Sequence, residues 1–559
     1  MSKRMIVMLV LLLSISLVTA CGTEKPRGSD IEEPDTSTER PVRMALAGAP
    51  NVDPATGSNW AATYIYCNIY DSLVMYDFDG KINPLLAESW EVSDDNLSYT
   101  FELKKDVKFH DGSQLTASDV VFSLNRIIAM KQGFSYMFTD TVKKAEAVDD
   151  YTVRFELIEP TGTFIDALCR LYILNEDLIM DNLDMNHDTY KYGEFGDYGR
   201  SYLVTNDAGS GPYMFRELSP QNHLIADQFV DYHIPFSENA PTYVQFINNT
   251  EATTIRTMLA NRELEISDNW QTAESIASMG KIDGITIAQY GNSATQQIAF
   301  NCSKPPTDDE NFRKALACLI DYDAIVKSVF PGSIRAIGPA GANTPGAGTK
   351  HDANPYDYDL EKAKEYLKLS KYANNADQYP VEFLSNSSVA SQEKIALALQ
   401  AAAKQVGITV KITSAPYSNL VERVSNQEST PNIITSSQCP YYYDAGCTFD
   451  SHYTSANVGT TTNTFWILDK SFDQMIRDAL AVGDVEERYE AYAEIEKHIL
   501  DKCYGAYIAD ITEKVAYQSD YVYWPAAEHF IKTGELSHNC VGYHYWFHDF
   551  QVYSEKKSK

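Results

Sequence analysis

The chain has 559 residues, 44% of them hydrophobic, with 77 acidic against 46 basic side chains and a formal net charge of −31. That length holds roughly three or four domain-sized units and a sizeable core. The charge excludes the basic surface that nucleic-acid binding needs and favours solubility beside an anionic cell surface.

The N-terminus is the first element. Lys3 and Arg4 precede an apolar run from Met5 to Val18, and Val18-Thr-Ala20 leads into Cys21. A positive, an apolar and a small-residue region in that order predict a secretory signal over 1–20, too short to span a bilayer comfortably. Val18-Thr-Ala-Cys21 resembles a bacterial lipobox, which implies cleavage before Cys21 and lipidation of that residue. Residues 22–41 are rich in Pro, Ser, Thr and charge and lack aromatics. A segment that cannot bury apolar surface stays flexible, so 21–41 is predicted to be a tether behind a lipid anchor. The other eight cysteines are scattered without a C-x-x-C pair, which argues against a zinc or thioredoxin-like site. Cys439 and Cys447 are close enough to form a disulfide across a loop, or else remain buried thiols.

Further along, Tyr99, Phe101 and Leu103 alternate with polar residues, as do Tyr151, Val153, Phe155 and Leu157. Period two predicts half-buried strands. Thr116-Ala-Ser-Asp119 has capping-box spacing and opens a helix through Val120, Val121, Leu124 and Ile127 or Ile128. Ile395, Leu399, Ala402 and Val406 follow helical spacing to Gly407, and Ile408, Val410 and Ile412 then alternate as a strand. The fold class is α/β in several lobes, with no tandem repeat.

One ordered pattern runs through Asn83-Pro-Leu-Leu-Ala-Glu-Ser-Trp90, Asp94-Asp-Asn-Leu-Ser-Tyr-Thr-Phe-Glu-Leu-Lys104, Val107-Lys-Phe-His-Asp-Gly-Ser113 and Leu115-Thr-Ala-Ser-Asp-Val-Val121. It resembles the signature of family 5 extracellular solute-binding proteins, the oligopeptide- and dipeptide-binding components of ABC importers. Asp53-Pro54, Gly209-Ser-Gly-Pro-Tyr213, Thr253 to Ile266, Phe300 to Asp321, Tyr358-Asp359 and Phe472-Asp473 extend the likeness over roughly residues 42 to 550.

The resemblance implies a two-lobed periplasmic-binding-protein-like fold with a hinge and an extra domain. The expected boundaries are lobe I over 42–85, 200–297 and 512–559, the extra domain over 86–199, and lobe II over 298–511. It implies a ligand closed between lobes by hinge motion, with a peptide held partly as an added strand. The matching edges give Ser58, Asn59 and Trp60, then Asp268, Asn269 and Trp270, then the block Cys439-Pro-Tyr-Tyr-Tyr-Asp444. Relatives carry an Asp in that third block against the peptide's amine; direct spacing puts Tyr441 there, and a small shift uses Asp444. Tyr442, Tyr443 and Trp466 are further candidates, and Phe465 fits the ligand or the core.

Implied partners are a peptide, the permease subunits of an ABC transporter, and the membrane through the lipid anchor, for a monomer facing outside the cytoplasm. An oligosaccharide, an opine-like compound, a metal chelate or a signalling peptide are the rival ligands. No cofactor or resident metal is expected: His110 belongs to a scaffold turn, and His452 reads as a solvated or cleft-edge side chain. Enzyme devices are missing from the sequence. There is no Gly-x-Ser-x-Gly and no His-Glu-x-x-His, and Ala347 replaces the lysine that a phosphate loop over Gly341–Gly346 requires.

Overall fold

The computed structural model describes residues 39–77, 80–348, 354–538 and 541–557. The predicted signal, Cys21 and most of the predicted tether lie outside the described residues. The last tether residues are already part of the fold. The Arg40 backbone N–H donates to Thr242 Oγ1 at 2.9 Å and its Nε to the Ala240 carbonyl at 3.0 Å, and Pro41 opens a strand.

Two long strands organise the chain. Ile285–Phe300 and Gly505–Gln518 pair antiparallel along their whole length. Their register slips between Gly291 and Thr295, where Asn292, Ser293 and Ala294 form a bulge and Ser293 takes φ 56°. A bulge bends and twists a ladder, and here it falls between two sheets. On one side, Ile285 to Gly291 runs beside Thr512 to Gln518, and Ile266 bridges Tyr517 to Met44. This leads into a sheet ordered Pro41–Leu46, Tyr243–Asn248, His223–Gln228 and Tyr213–Ser219. On the other side, Thr295 to Phe300 pairs with Ile433–Gln438, followed by Val381–Asn386 and Val410–Ala415. The expected lobe boundaries at 297/298 and 511/512 fall inside these two strands.

A separate four-stranded sheet follows the order Ala87–Val92, Ser98–Leu103, Thr152–Leu157, Val142–Asp149. Tyr99, Phe101, Leu103, Val153, Phe155 and Leu157 are buried on one face while Glu102 is exposed, as alternation requires. Helix Ala117–Met130 covers that face. Its capping box holds: the Thr116 N–H donates to Asp119 Oδ2 at 2.8 Å. Val120, Leu124 and Ile127 are buried, and Val121 and Ile128 are half-buried. In the second lobe, helix Ala390–Gln405 buries Ile395, Leu399 and Ala402, and Gly407 turns the chain at φ 82°, a region that favours glycine. The strand expected from Ile408 begins at Val410.

Cores form on both sides of the bulge. One joins the first lobe to the extra sheet; the other packs Phe300, Phe312, Phe383, Leu399 and Ile508.

Candidate functional site

Asp53 starts the build-up of the site. Both its oxygens accept from the buried Arg126 guanidinium, at 2.7 and 2.8 Å, and Oδ1 also accepts from the Ala55 N–H. Arg126 lies on the capped helix of the extra domain, so this bidentate pair fixes where the loop 54–59 leaves it. Asn59 then caps helix Trp60–Ile69 by accepting from the Ala62 N–H at 2.9 Å. Ser58 is half-buried and Asn59 exposed, while Trp60, at the first helical position, turns inward.

The second edge meets the first. Trp60 and Trp270 lie 5.0 Å apart at 34°. Trp270 is held by Asp268, which accepts from its N–H at 2.9 Å and from Gln271 Nε2 at 2.6 Å. Burial pushes the Asp268 carboxyl up to about 6, against those hydrogen bonds. The Asn269 amide donates at 3.3 Å both to Tyr64 Oη and to Glu513 Oε2, and Asn292 of the bulge donates to Glu513 Oε1 at 3.3 Å. Glu513 lies on the second long strand opposite Tyr290 and is 4% exposed. Burial pushes its carboxyl up to about 7, the two amides opposing. Tyr290 and Tyr545 hydroxyls meet at 2.5 Å, and the Tyr545 ring packs on Tyr64 at 4.6 Å.

The third edge is placed differently. Leaving strand Ile433–Gln438, the chain crosses to the extra domain. The Tyr441 carbonyl accepts from Arg170 Nε at 2.6 Å, and its ring sits 5.0 Å from Phe134. Cys439 interacts with the Trp60 indole, and Tyr441 lies within electrostatic reach of Tyr64, so these two belong with the first edges. Tyr442 and Tyr443 are not brought there. Tyr442 is buried beside Cys447 and Asp450, and Tyr443 donates through its hydroxyl to the Asn343 carbonyl at 2.7 Å and packs near Tyr76.

The expectations for Asp444, His452 and Trp466 need correction, and the choice left open at Cys439 and Cys447 falls to buried thiols. Asp444 is already occupied: it accepts from Gly446 N–H at 2.7 Å as a helix cap and faces Arg488 Nη2 at 3.5 Å, both side chains buried. Cys439 and Cys447 are free buried thiols, and the Cys447 sulfur accepts from the Tyr441 N–H at 3.2 Å instead of bonding to Cys439. His452 is neither solvated nor at a cleft edge. It is buried in helix Ala445–Tyr453 with Nδ1 on the Thr448 carbonyl and the Ser451 hydroxyl, and burial lowers it to about 4. Trp466 donates its indole N–H to Thr430 Oγ1 at 2.9 Å. Thr430 precedes Ile433, whereas Gln438, which pairs with Thr295, is the end of that strand beside the bulge; Trp466 is therefore tied to the end of the strand away from the bulge. Phe465 is core, stacked on Tyr453 at 4.9 Å. His110, held between Asp207 and the Gly211 carbonyl, is part of the scaffold turn.

Between the lobes a cleft of about 420 Å³ remains, lined by Asn269, Trp270 and Glu513 with Phe330, Lys394 and Ser437 from the second lobe. Lys394 Nζ reaches Glu274 across it at 3.4 Å. A cavity of about 400 Å³ beside Asp510 and His538 contains none of the predicted residues. Tyr64, Asn292, Glu513 and Tyr545 escaped the sequence reading. The one available signal was Glu513, an acidic side chain inside a buried strand.

This geometry has counterparts among known proteins. Residues 81–460 match the family model of bacterial extracellular solute-binding proteins, family 5 middle region. The probable D,D-dipeptide-binding periplasmic protein DdpA of Escherichia coli K12 is 25% identical over 509 residues, covering 88% of this chain and 93% of its own. The glutathione-binding protein GsiB of Salmonella choleraesuis is 25% identical over 453 residues, covering 80% and 84%. Among solved structures, the periplasmic binding protein DppA of Helicobacter pylori, in complex with the peptide STSA, superposes with a TM-score of 0.77 at 23% identity, over 92% of this chain and 98% of that one. The two-lobed periplasmic-binding-protein fold is therefore the fold of this chain, and the chain belongs to family 5 of the bacterial extracellular solute-binding proteins.

Proposed function

We propose that this protein captures short peptides between its two lobes outside the cytoplasm, without altering them, and hands them to the permease of an ABC importer. The observation that carries this reading is the cleft beside the bulged crossing strands, walled by Trp270, Asn269 and Glu513 on one lobe and by Ser437 and Lys394 on the other. At about 420 Å³ it lies toward the small end of ligand sites, which suits a peptide of two or three residues. Relatives named for dipeptide and glutathione binding, matched over most of their length, support the same ligand class.

In this reading Ser58, Asn59 and Trp60 and Asp268, Asn269 and Trp270 form the first-lobe wall, with Tyr441 closing it from the other side. The lobes close by bending at the bulge, and ligand favours closure through contacts made only in the closed state. Lipidated Cys21 and the tether keep a monomeric domain near its transporter.

A thermal-shift screen of free dipeptides and tripeptides tests the ligand class. A binder at 100 times its Kd stabilises the folded chain by about 2.7 kcal/mol and raises Tm. No shift across the peptides, together with a shift by an opine-like compound, an oligosaccharide or a metal chelate, moves the assignment to that rival class.

A further inference from the structure

Some buried carboxylates of this protein have cations, while Glu496 and Asp510, like Glu513, accept only from neutral donors among the described residues; of these three, Glu513 is the one that lines the inter-lobe cleft. Asp53 has Arg126, Glu265 has Arg43 and Lys557, and Asp444 has Arg488. Glu513 is as deeply buried, yet among the described residues it meets only the neutral amides of Asn269 and Asn292, each at 3.3 Å. Those contacts are long for charge-assisted bonds, and a buried carboxylate without a counter-charge is costly. Glu513 lines the inter-lobe cleft. Around it stand the rings of Tyr64, Tyr290 and Tyr545, with the tilted Trp60–Trp270 pair beside Asn269. Aromatic faces attract cations and offer an anion nothing. The missing element is a positive charge brought from outside.

We propose that Glu513 is the counter-ion for a cationic amine of the ligand, held in an aromatic cup that includes Trp60, Tyr64 and Trp270. The amine recognition that the 439–444 block no longer supplies thus moves to the second crossing strand. It rests on the reading of this cleft as the ligand site, and it sets the ligand class: an ammonium-bearing small molecule, of which a free dipeptide N-terminus is one. Because Glu513 sits next to the bulge, binding an amine there ties ligand charge to the segment that bends.

Titration calorimetry with L-alanyl-L-alanine, its N-acetyl derivative and choline on wild type, Glu513→Gln and Asp444→Asn tests the assignment. Loss of one charge-assisted contact weakens binding by about ten- to a hundredfold. Glu513→Gln should lose that much for Ala-Ala or choline, N-acetylation should lose it on wild type, and Asp444→Asn should bind as wild type does. Wild-type affinity should also fall roughly five- to tenfold from pH 7.5 to 6, as a carboxyl near 7 takes up its proton while the amine stays charged; Glu513→Gln should show no such fall. The titratable groups that interact with Glu513 are Tyr64, Tyr290, Tyr545 and Cys439, all kept neutral there by burial; Asp268, near 6, interacts with Tyr545, and Lys394 and Lys514 line the same cleft.

Ala-Ala bound equally by wild type and Glu513→Gln overturns the inference and leaves the peptide reading standing. Choline bound in a Glu513-dependent way without Ala-Ala keeps the inference and removes the peptide reading. Failure of both amines, or equal binding of the acetylated peptide, overturns it. The acetylation and pH measurements on wild type decide the matter even if Glu513→Gln does not fold.

Discussion

Replacing Asp444 with alanine separates a structural carboxylate from a ligand-binding one. The side chain caps helix Ala445–Tyr453 through the Gly446 N–H and faces Arg488 in a region where both side chains are about one-twentieth exposed. Losing an N-cap costs about 0.5–2 kcal/mol, and removing one member of a buried ion pair about 3–5 kcal/mol. The full sum does not apply here. The pair stands at 3.5 Å, Arg488 keeps the Val482 carbonyl at 3.2 Å, and burial raises the Asp444 pKa in spite of Arg488, so its charge is only partly compensated. A net loss of about 3 kcal/mol is expected, or roughly 6–10 °C in Tm for a lobe of about two hundred residues. Asp444→Asn keeps an oxygen for the cap and the side-chain shape, and should lose about half as much. Melting followed by circular dichroism gives the stability, and calorimetry with the strongest peptide from the screen, well below the lowered Tm, gives affinity within twofold of wild type. A variant that melts within 1 °C of wild type but binds ten times more weakly would refute the reasoning and return Asp444 to the ligand.

Trp60→Ala removes one side of the tryptophan pair and should weaken ligand binding about tenfold by calorimetry well below its Tm, which should itself fall because Trp60 is buried; unchanged affinity takes Trp60 out of the site. Burial raises several carboxyls, Glu496 to about 8 and Asp166, Asp450 and Glu513 to about 7, so between pH 4 and 8 the folded chain holds more protons than the unfolded one. Their stabilisation is complete below about pH 4 and is lost as pH rises through 7–8. Buried His452 and His544, lowered to about 4 and 3, act oppositely, contributing above about pH 6.5 and losing that contribution on acidification, but the carboxyls outnumber them. Tm at pH 5.5 should therefore exceed Tm at pH 8.5, and Glu496→Gln should narrow the gap; a Tm that rises steadily to pH 8.5 contradicts the assignment. Cys21→Ser should move the expressed protein from the membrane fraction to the soluble one, and retention in the membrane would count against lipidation.

Much of the scaffold was legible because its causes are local. The strand at Tyr99, Phe101 and Leu103 has one face on a core and one in water, so its alternation survives in the structure. Thr116 and Asp119 satisfy helix ends within four residues of chain, and Gly407 supplies a positive φ by itself. The crossing strands were not legible. Ile285–Phe300 is buried almost throughout from Tyr290 onward, yet Asn292, Ser293, Thr295, Gln296 and Gln297 make it read as a polar segment, and Gly291 to Ala294 reads as a turn when considered alone. Only its pairing with Gly505–Gln518, about two hundred residues away, makes that stretch a bulge between the two sheets.

The site shows the same limit more sharply. Asp444 and Glu513 look alike along the chain, each an acid within a few residues of tyrosine and apolar side chains. Their roles part because of neighbours from elsewhere. Helix Val485–Lys502 delivers Arg488 to Asp444, which makes it a structural anchor. A loop and a bulge deliver Asn269 and Asn292 to Glu513, which orient the carboxylate and leave its charge uncompensated. A buried negative charge that the protein's described residues do not neutralise weakens the closed, empty state, since closure must desolvate it. An entering cation removes that cost and gains the attraction at once, so the closed form is favoured most when a ligand is inside. Among the described residues, the lack of an arginine near Glu513 is then as informative as its presence near Asp444.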